Sequence, residues 1–206
     1  MIDVAVINYG MGNIKSVQRG LEKVGAKVKI VSDAASILNA SRIVLPGVGA
    51  FQGAMLELEK RGLVEAIYSH VESGKPLLGI CLGMQLLFDK SEEHGIQSGL
   101  GIVSGDVVEI PKQKDSTYIR KIPHIGWSSI KPPTNYLEWS GSYLNQTQED
   151  EFFYFVHSFM VVPKNDSDVL MFQDSGSNGY VQVFGGEIAS AIKNKRFFFF
   201  ILNLSS

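Results

Sequence analysis

The chain is poor in cysteine: one occurs in 206 residues, at position 81. No disulfide can form within the chain, and a structural metal site of several thiolates is excluded. An excess of one charge is also lacking, since 19 Lys and Arg stand against 21 Asp and Glu, a net charge of −2. With no basic tail or Lys/Arg cluster, nucleic-acid binding has no electrostatic support. The four histidines are scattered and no HExxH spacing occurs, so no metal is expected. No apolar run reaches the length of a membrane span. The first ten residues, MIDVAVINYG, carry an acid at position 3 where a signal peptide has basic residues. These absences point to a reducing, cytoplasmic setting in which Cys81 stays a free thiol. The partner or substrate is expected to be a small molecule or a protein.

What the chain does contain is apolar bulk, 45% of its residues. That suits one compact domain over residues 1–206. In the first half, DVAVIN (3–8), AKVKIV (26–31), SRIVLPGVGAF (41–51, ending in a glycine loop) and KPLLGI (75–80) read as strands. Between them, IKSVQRGLEKVG and residues 53–74 have helical spacing, the latter with a break at Gly62. LGMQLLFD (82–89) starts a helix directly after Cys81. This alternation predicts an α/β fold with a mostly parallel central sheet and helices on both faces. The second half is richer in strand signals. Residues 98–110 and 151–162 read as strands, and regular structure pauses at Pro132–Pro133. Residues 165–179 read as a surface loop, and 187–192 with 196–202 as a terminal hairpin.

Cys81 sits between Gly79 and Gly83, after a strand and before a helix. That is the setting of a nucleophile elbow, where side chains at the two glycines would crowd the bend. Amides of the new helix would face the sulfur and favour thiolate over thiol. The other reading of a lone cysteine is a small buried hydrophobe. A second glycine turn, PGVG (46–49), ends another strand. Its backbone could aim amides at a ligand oxygen, although a turn of this kind also serves simply to join a strand to a helix. NYGMGNI (8–14) lacks the lysine and hydroxyl pair of a phosphate loop.

Taken together and in order, NYGMGNIKS, LPGVGAF, GICLGMQLL, PHIGW and YFVHSF resemble the glutaminase subunit of imidazole glycerol phosphate synthase, within the class I, or triad, glutamine amidotransferases. The likeness runs from about residue 3 to residue 194. The resemblance implies a flavodoxin-like fold, hydrolysis of glutamine to glutamate and ammonia, and no cofactor. It also implies passage of ammonia to a (β/α)8 barrel synthase, or cyclase, partner in histidine biosynthesis. Relatives that serve nucleotide-sugar amination are an alternative. Residue by residue, the likeness makes Cys81 the nucleophile and gives the oxyanion hole to the amides of Val48 and Leu82. Gly47, Gly49, Gly79 and Gly83 shape the loop and elbow. Gln85, His157 and Ser158 hold glutamine, and Asn13, His124 and Trp127 face the partner. Two positions depart from the family pattern: Phe159 stands where Tyr is usual, and Ser128 where Asn follows PHxGW.

The triad's base and its orienting acid come, in this family, from a C-terminal QFHPE motif. The sequence has instead RFFFFILNLSS. His70 reads as a surface residue on a helix, His94 as a solvated loop residue, and His124 as a support for its own loop. His157 is a weak replacement base. A non-catalytic, partner-binding homologue is therefore a further alternative. The codons TTT-CAT-CCT-GAA, for Phe-His-Pro-Glu, give Phe-Ile-Leu and the start of Asn when read from their second base. The ending thus has the form of a frameshift within the Phe run, after about residue 195. Sequencing the coding DNA through this tract is expected to find His-Pro-Glu codons in the adjacent frame. Their absence from every frame would remove the explanation.

Overall fold

Strands that are apolar on both faces alternate with amphipathic helices through the first half of the chain. The computed structural model describes residues 2–111, 114–115, 118–119, 122–131, 151–169, 171–173, 180–183 and 198–200. The first half comprises β1 (Ile2–Ile7), α1 (Ile14–Lys23), β2 (Val28–Val31), α2 (Ala34–Asn39), β3 (Ala40–Gly47), α3 (Phe51–Lys60), α4 (Val64–Glu72) and β4 (Leu77–Cys81). β4 runs straight into α5 (Leu82–Gln85). Short strands follow: β5 (Phe88–Ser91), β6 (Gln97–Ser98), β7 (Val103–Glu109), β8 (Lys114–Asp115) and β9 (Tyr118–Ile119). The last are β10 (His124–Lys131), β11 (Phe152–His157), β12 (Phe159–Pro163), β13 (Met171–Gln173), β14 (Tyr180–Val183) and β15 (Phe198–Phe200).

The central sheet has the order β15-β4-β3-β1-β2, and its four pairings are parallel. This is the flavodoxin-like arrangement, in which ligands bind beyond the carboxyl ends of the strands. Alternation along the strands divides the core. Val4 and Val6 of β1 and Val44 of β3 pack with Val17 of α1. Ala5, Ile7, Ile43 and Leu45 turn the other way, in one cluster with Ile37 of α2, Leu58 of α3 and Ile67 of α4. Burying one such Leu or Ile side chain stabilises the fold by roughly 1.5–3 kcal/mol. Beside this sheet stand an antiparallel sheet, β11-β10-β13-β14, and a mixed one, β12-β7-β5-β6; β8 and β9 pair with each other. Among the described residues, no helix is long and apolar enough to cross a membrane.

Several expectations change. The helix after Cys81 stops at Gln85, and Phe88 opens β5 instead of continuing it. Leu86, Leu87 and Phe88 are all fully buried, which suits a strand inside the core better than one helical stripe. α2 was not legible as a helix; its signal is Asp33, which caps it by accepting from the Ser36 amide at 2.8 Å. Residues 151–162 form two strands in different sheets, broken at Ser158. Residues 98–110 contain one long strand, β7, that starts only at Val103. Within the supposed 165–179 loop, Met171 and Gln173 are buried on β13. Of the expected terminal hairpin, 187–192 lies outside the described residues, and Phe198–Phe200 pairs in parallel with β4. Pro132–Pro133 also falls outside them. His70 is not on the surface: it is 1% exposed, with Nδ1 3.2 Å from the Ile37 carbonyl and Nε2 3.1 Å from that of Pro76. Its ring ties α4 to α2 and to the approach of β4. His94 is exposed, as read from sequence.

The elbow itself is a close backbone crossing. A Cβ on Gly79 would lie 2.6 Å from Met84 Cα, and one on Gly83 would collide with the Leu45 carbonyl oxygen. Neither neighbour is a flexible side chain. Gly83→Ala is expected to cost about 3 kcal/mol or more of stability, read as a lowered urea midpoint. An unchanged midpoint would show that α5 and β3 can separate freely.

Candidate active site

Cys81 ends β4 with φ +54° and ψ −120°. Among the described residues, only Cys81 and His94 combine a side chain with positive φ. A non-glycine residue in this region costs on the order of 1–3 kcal/mol and persists only where its surroundings over-determine it. Here the crossing of Gly79 and Gly83 against Met84 and Leu45 does so.

A cavity of about 460 Å³ opens beside the sulfur. The turn after β3 contributes Gly47, Val48 and Gly49 to its lining, and the elbow contributes Cys81, Leu82 and Gln85. From the β11–β12 junction come His157 and Ser158, and from the start of α1 comes Asn13. Asn13 is also the cap of α1, its side chain accepting from the Ser16 amide at 3.4 Å. Gly47 pairs with Cys81 in the β3–β4 register, and Gly49 has φ +100°. Gly79 and Gly83 belong to the elbow and do not line the cavity. His124 and Trp127 stand outside it on β10. Trp127 is 68% exposed and meets the Tyr154 ring edge-on, centroids 5.6 Å apart.

The electrostatics correct one expectation. Burial pushes the Cys81 thiol above its ordinary range, and the Leu82 amide, which hydrogen-bonds the sulfur, offsets this only in part. Cys81 therefore rests as a thiol rather than as the thiolate expected from sequence. The physical reason is the length of α5: four residues supply little dipole, against the desolvation of a sulfur tucked below the cavity mouth.

His157 is poorly suited to be the missing base. It is 7% exposed, its Nδ1 faces the Phe159 carbonyl at 3.1 Å, and its Nε2 lies 3.0 Å from Gln173 Oε1. Burial, reinforced by the neighbouring His124, lowers its pKa to about 4, although both hydrogen bonds act the other way.

Two residues near Cys81 escaped the sequence reading. Glu93 lines the cavity and accepts from the Phe51 amide, at the start of α3, at 2.6 Å. Its neighbourhood, KSEEH, reads only as a charged loop, so nothing local signals it. Tyr9 is fully buried, with its hydroxyl 2.7 Å from where a Gly47 Cβ would stand. That hydroxyl has no hydrogen-bond partner among the described residues. Among the same residues, no cluster of His, Cys, Asp or Glu could hold a metal.

Fold and elbow together define a triad-type glutamine amidotransferase scaffold, and comparison with known proteins agrees. The glutamine amidotransferase class-I family matches residues 5–195. The imidazole glycerol phosphate synthase subunit HisH of Syntrophotalea carbinolica is 44% identical over 84% of this chain and 82% of its own. That of Aquifex aeolicus is 47% identical over 83% and 78%. Among solved structures, PurLQS from Thermotoga maritima superposes with a TM-score of 0.64 at 20% identity, covering 91% of this chain and 83% of its own. A GMP synthase protein from Thermoplasma acidophilum gives 0.61 at 18%, covering 96% and 82%; these two likenesses concern the fold. The chain belongs to the class-I glutamine amidotransferase family and, within it, to the HisH subunits of imidazole glycerol phosphate synthase.

The raised thiol pKa has a direct readout. Alkylation of Cys81 by iodoacetamide needs the thiolate, so its rate should climb with pH and reach half-maximum above the pH for free cysteine. A midpoint below that of free cysteine would restore the resting thiolate.

Proposed function

We propose that the cavity binds L-glutamine with its side-chain carboxamide at Cys81, and that ammonia released there serves an imidazole glycerol phosphate synthase. The observation that carries this is the strained elbow: a sulfur at φ +54°, opening on a cavity of about 460 Å³, in a chain of this family. Once deprotonated, Cys81 attacks the carboxamide carbon and a C–S bond forms. Charge gathers on the carbonyl oxygen, where amides of Val48 and Leu82 would stabilise it. The C–N bond then breaks, nitrogen leaves as ammonia after taking a proton, and water hydrolyses the glutamyl thioester. Gln85 and the 157–158 backbone would hold the substrate. Among the described residues, Glu93 is the one acidic side chain lining the cavity, and it suits the substrate's α-ammonium group. Gly47, Gly49, Gly79 and Gly83 keep the turn and elbow close-packed.

The partner we infer is a (β/α)8 barrel synthase in the cytoplasm, seated on the outer face of β10 and β11. Trp127, Ile125 and Phe152 are each more than half exposed there, and Pro123, just before β10, lines the cavity. Asn13 lies on the cavity rim, whereas His124, expected from the resemblance to face the partner, alternates to the opposite face of β10 from Ile125 and Trp127 and turns inward to Ser128 and His157.

The proton steps need a base, and the family's C-terminal His-Pro-Glu is not found in this sequence. β15 nevertheless lies beside β4, with Phe200 paired to Ile80, one residue short of Cys81. In sequence Phe200 is followed by Ile201, Leu202 and Asn203, the three that would be His, Pro and Glu in the shifted frame. As written, the chain should release little ammonia from glutamine even with a cyclase barrel present. Replacing Ile201-Leu202-Asn203 by His-Pro-Glu should raise turnover roughly 10²–10⁴-fold, and Cys81→Ala should abolish the gain. Brisk turnover by the unaltered chain, or none after the replacement, would contradict this assignment.

A further inference from the structure

Behind the cavity wall formed at the β11–β12 junction lies a buried polar cluster that glutamine hydrolysis does not use. β10 and β11 pair with His124 opposite His157, and β13 joins the other edge of β10 with Gln173 opposite Ile130. Ser128 lies two residues from Ile130, on the same face of β10 as His124. Ser128 and His157 are each 7% exposed, and Gln173 is fully buried. The Gln173 carboxamide bridges the two, 3.0 Å from His157 Nε2 and 3.0 Å from Ser128 Oγ. Ser128 Oγ lies 3.1 Å from His124 Nε2, and the two histidine rings are 5.4 Å apart.

Proton accounting gives the cluster a direction. His157 is neutral because burial depresses its pKa to about 4, so it carries one N–H, which Nδ1 donates to the Phe159 carbonyl. Its Nε2 is then an acceptor and needs a donor from Gln173. Turning the carboxamide end for end, an exchange that heavy-atom positions do not distinguish, supplies it. Gln173 Nε2–H then donates to His157 Nε2, and the Ser128 hydroxyl donates to Gln173 Oε1. His124 Nε2–H donates to Ser128 Oγ. Each link has one orientation, and together they set the tautomer of His157.

We infer that Gln173 and Ser128 are positioning residues: they hold His157, and through it the 157–158 segment of the cavity wall, in the arrangement that accepts glutamine. Ser128 stands where the family usually has Asn. Its small hydroxyl leaves the Gln173 carboxamide within hydrogen-bond reach, so the departure from the family pattern is part of the cluster. This inference rests on the glutamine reading of the cavity.

The test uses the full chain and the protection of Cys81 from iodoacetamide by L-glutamine. Gln173→Met, which keeps length and removes the amide, should raise the half-protecting glutamine concentration about tenfold. Ser128→Ala should act in the same direction and Ser128→Thr, which keeps the hydroxyl, much less. The double variant should be no weaker than Gln173→Met alone, because one chain of bonds is broken once. Alkylation without glutamine should change less than about twofold, since the elbow is untouched. Imidazole nitrogen shifts of His157 should move in Gln173→Met. If Gln173→Met does not fold, the two Ser128 variants decide. Folded variants with lowered melting temperature but unchanged half-protection would overturn the inference alone. A parent chain that glutamine never protects would overturn the glutamine reading, and this inference with it.

Discussion

The site depends on one backbone contact, the passage of Gly83 beneath the Leu45 carbonyl. Only a residue without Cβ lets the start of α5 lie that close to β3. That closeness holds Cys81 at positive φ and turns its sulfur toward the cavity. The same contact brings Gly47 level with Cys81 in the β3–β4 register. Cys81 and the glycine turn are thus one packed unit, and the strain at Cys81 is balanced by core burial around it.

That packing has a chemical consequence. Seating the sulfur deep enough to be framed by backbone also desolvates it, and desolvation outweighs the help of the Leu82 amide. The resting thiol is unreactive toward a carboxamide until something takes its proton. β15 docks in parallel beside β4, with Phe200 paired to Ile80.

Among the described residues, buried histidines serve two different purposes. His70 joins α4, α2 and the approach of β4 through two carbonyls, far from the cavity lining. The His124–Ser128–Gln173–His157 cluster lies directly behind that lining. Both are invisible to hydropathy, because histidine, serine and glutamine are usually surface residues. Their burial is made tolerable by hydrogen-bond partners, some of them distant in sequence, such as Gln173 for Ser128 at a separation of 45 residues.

Much was legible from residues alone. The strands of the parallel sheet, the break between α3 and α4, and the Gly-x-Cys-x-Gly elbow follow from local periodicity and from glycines at fixed spacing. The motif order carried the family. What the sequence by itself determined was therefore local: which segments become strands, where the chain bends, and which atom can be a nucleophile. Tertiary structure decided the rest, because it depended on burial and on contacts between remote segments. It ended α5 at Gln85 by drawing Phe88 into the core, split 151–162 between two sheets, and brought Glu93 to the cavity. It also set the protonation of Cys81 and His157. Desolvation belongs to the assembled fold, and no single residue in the chain carries it in advance.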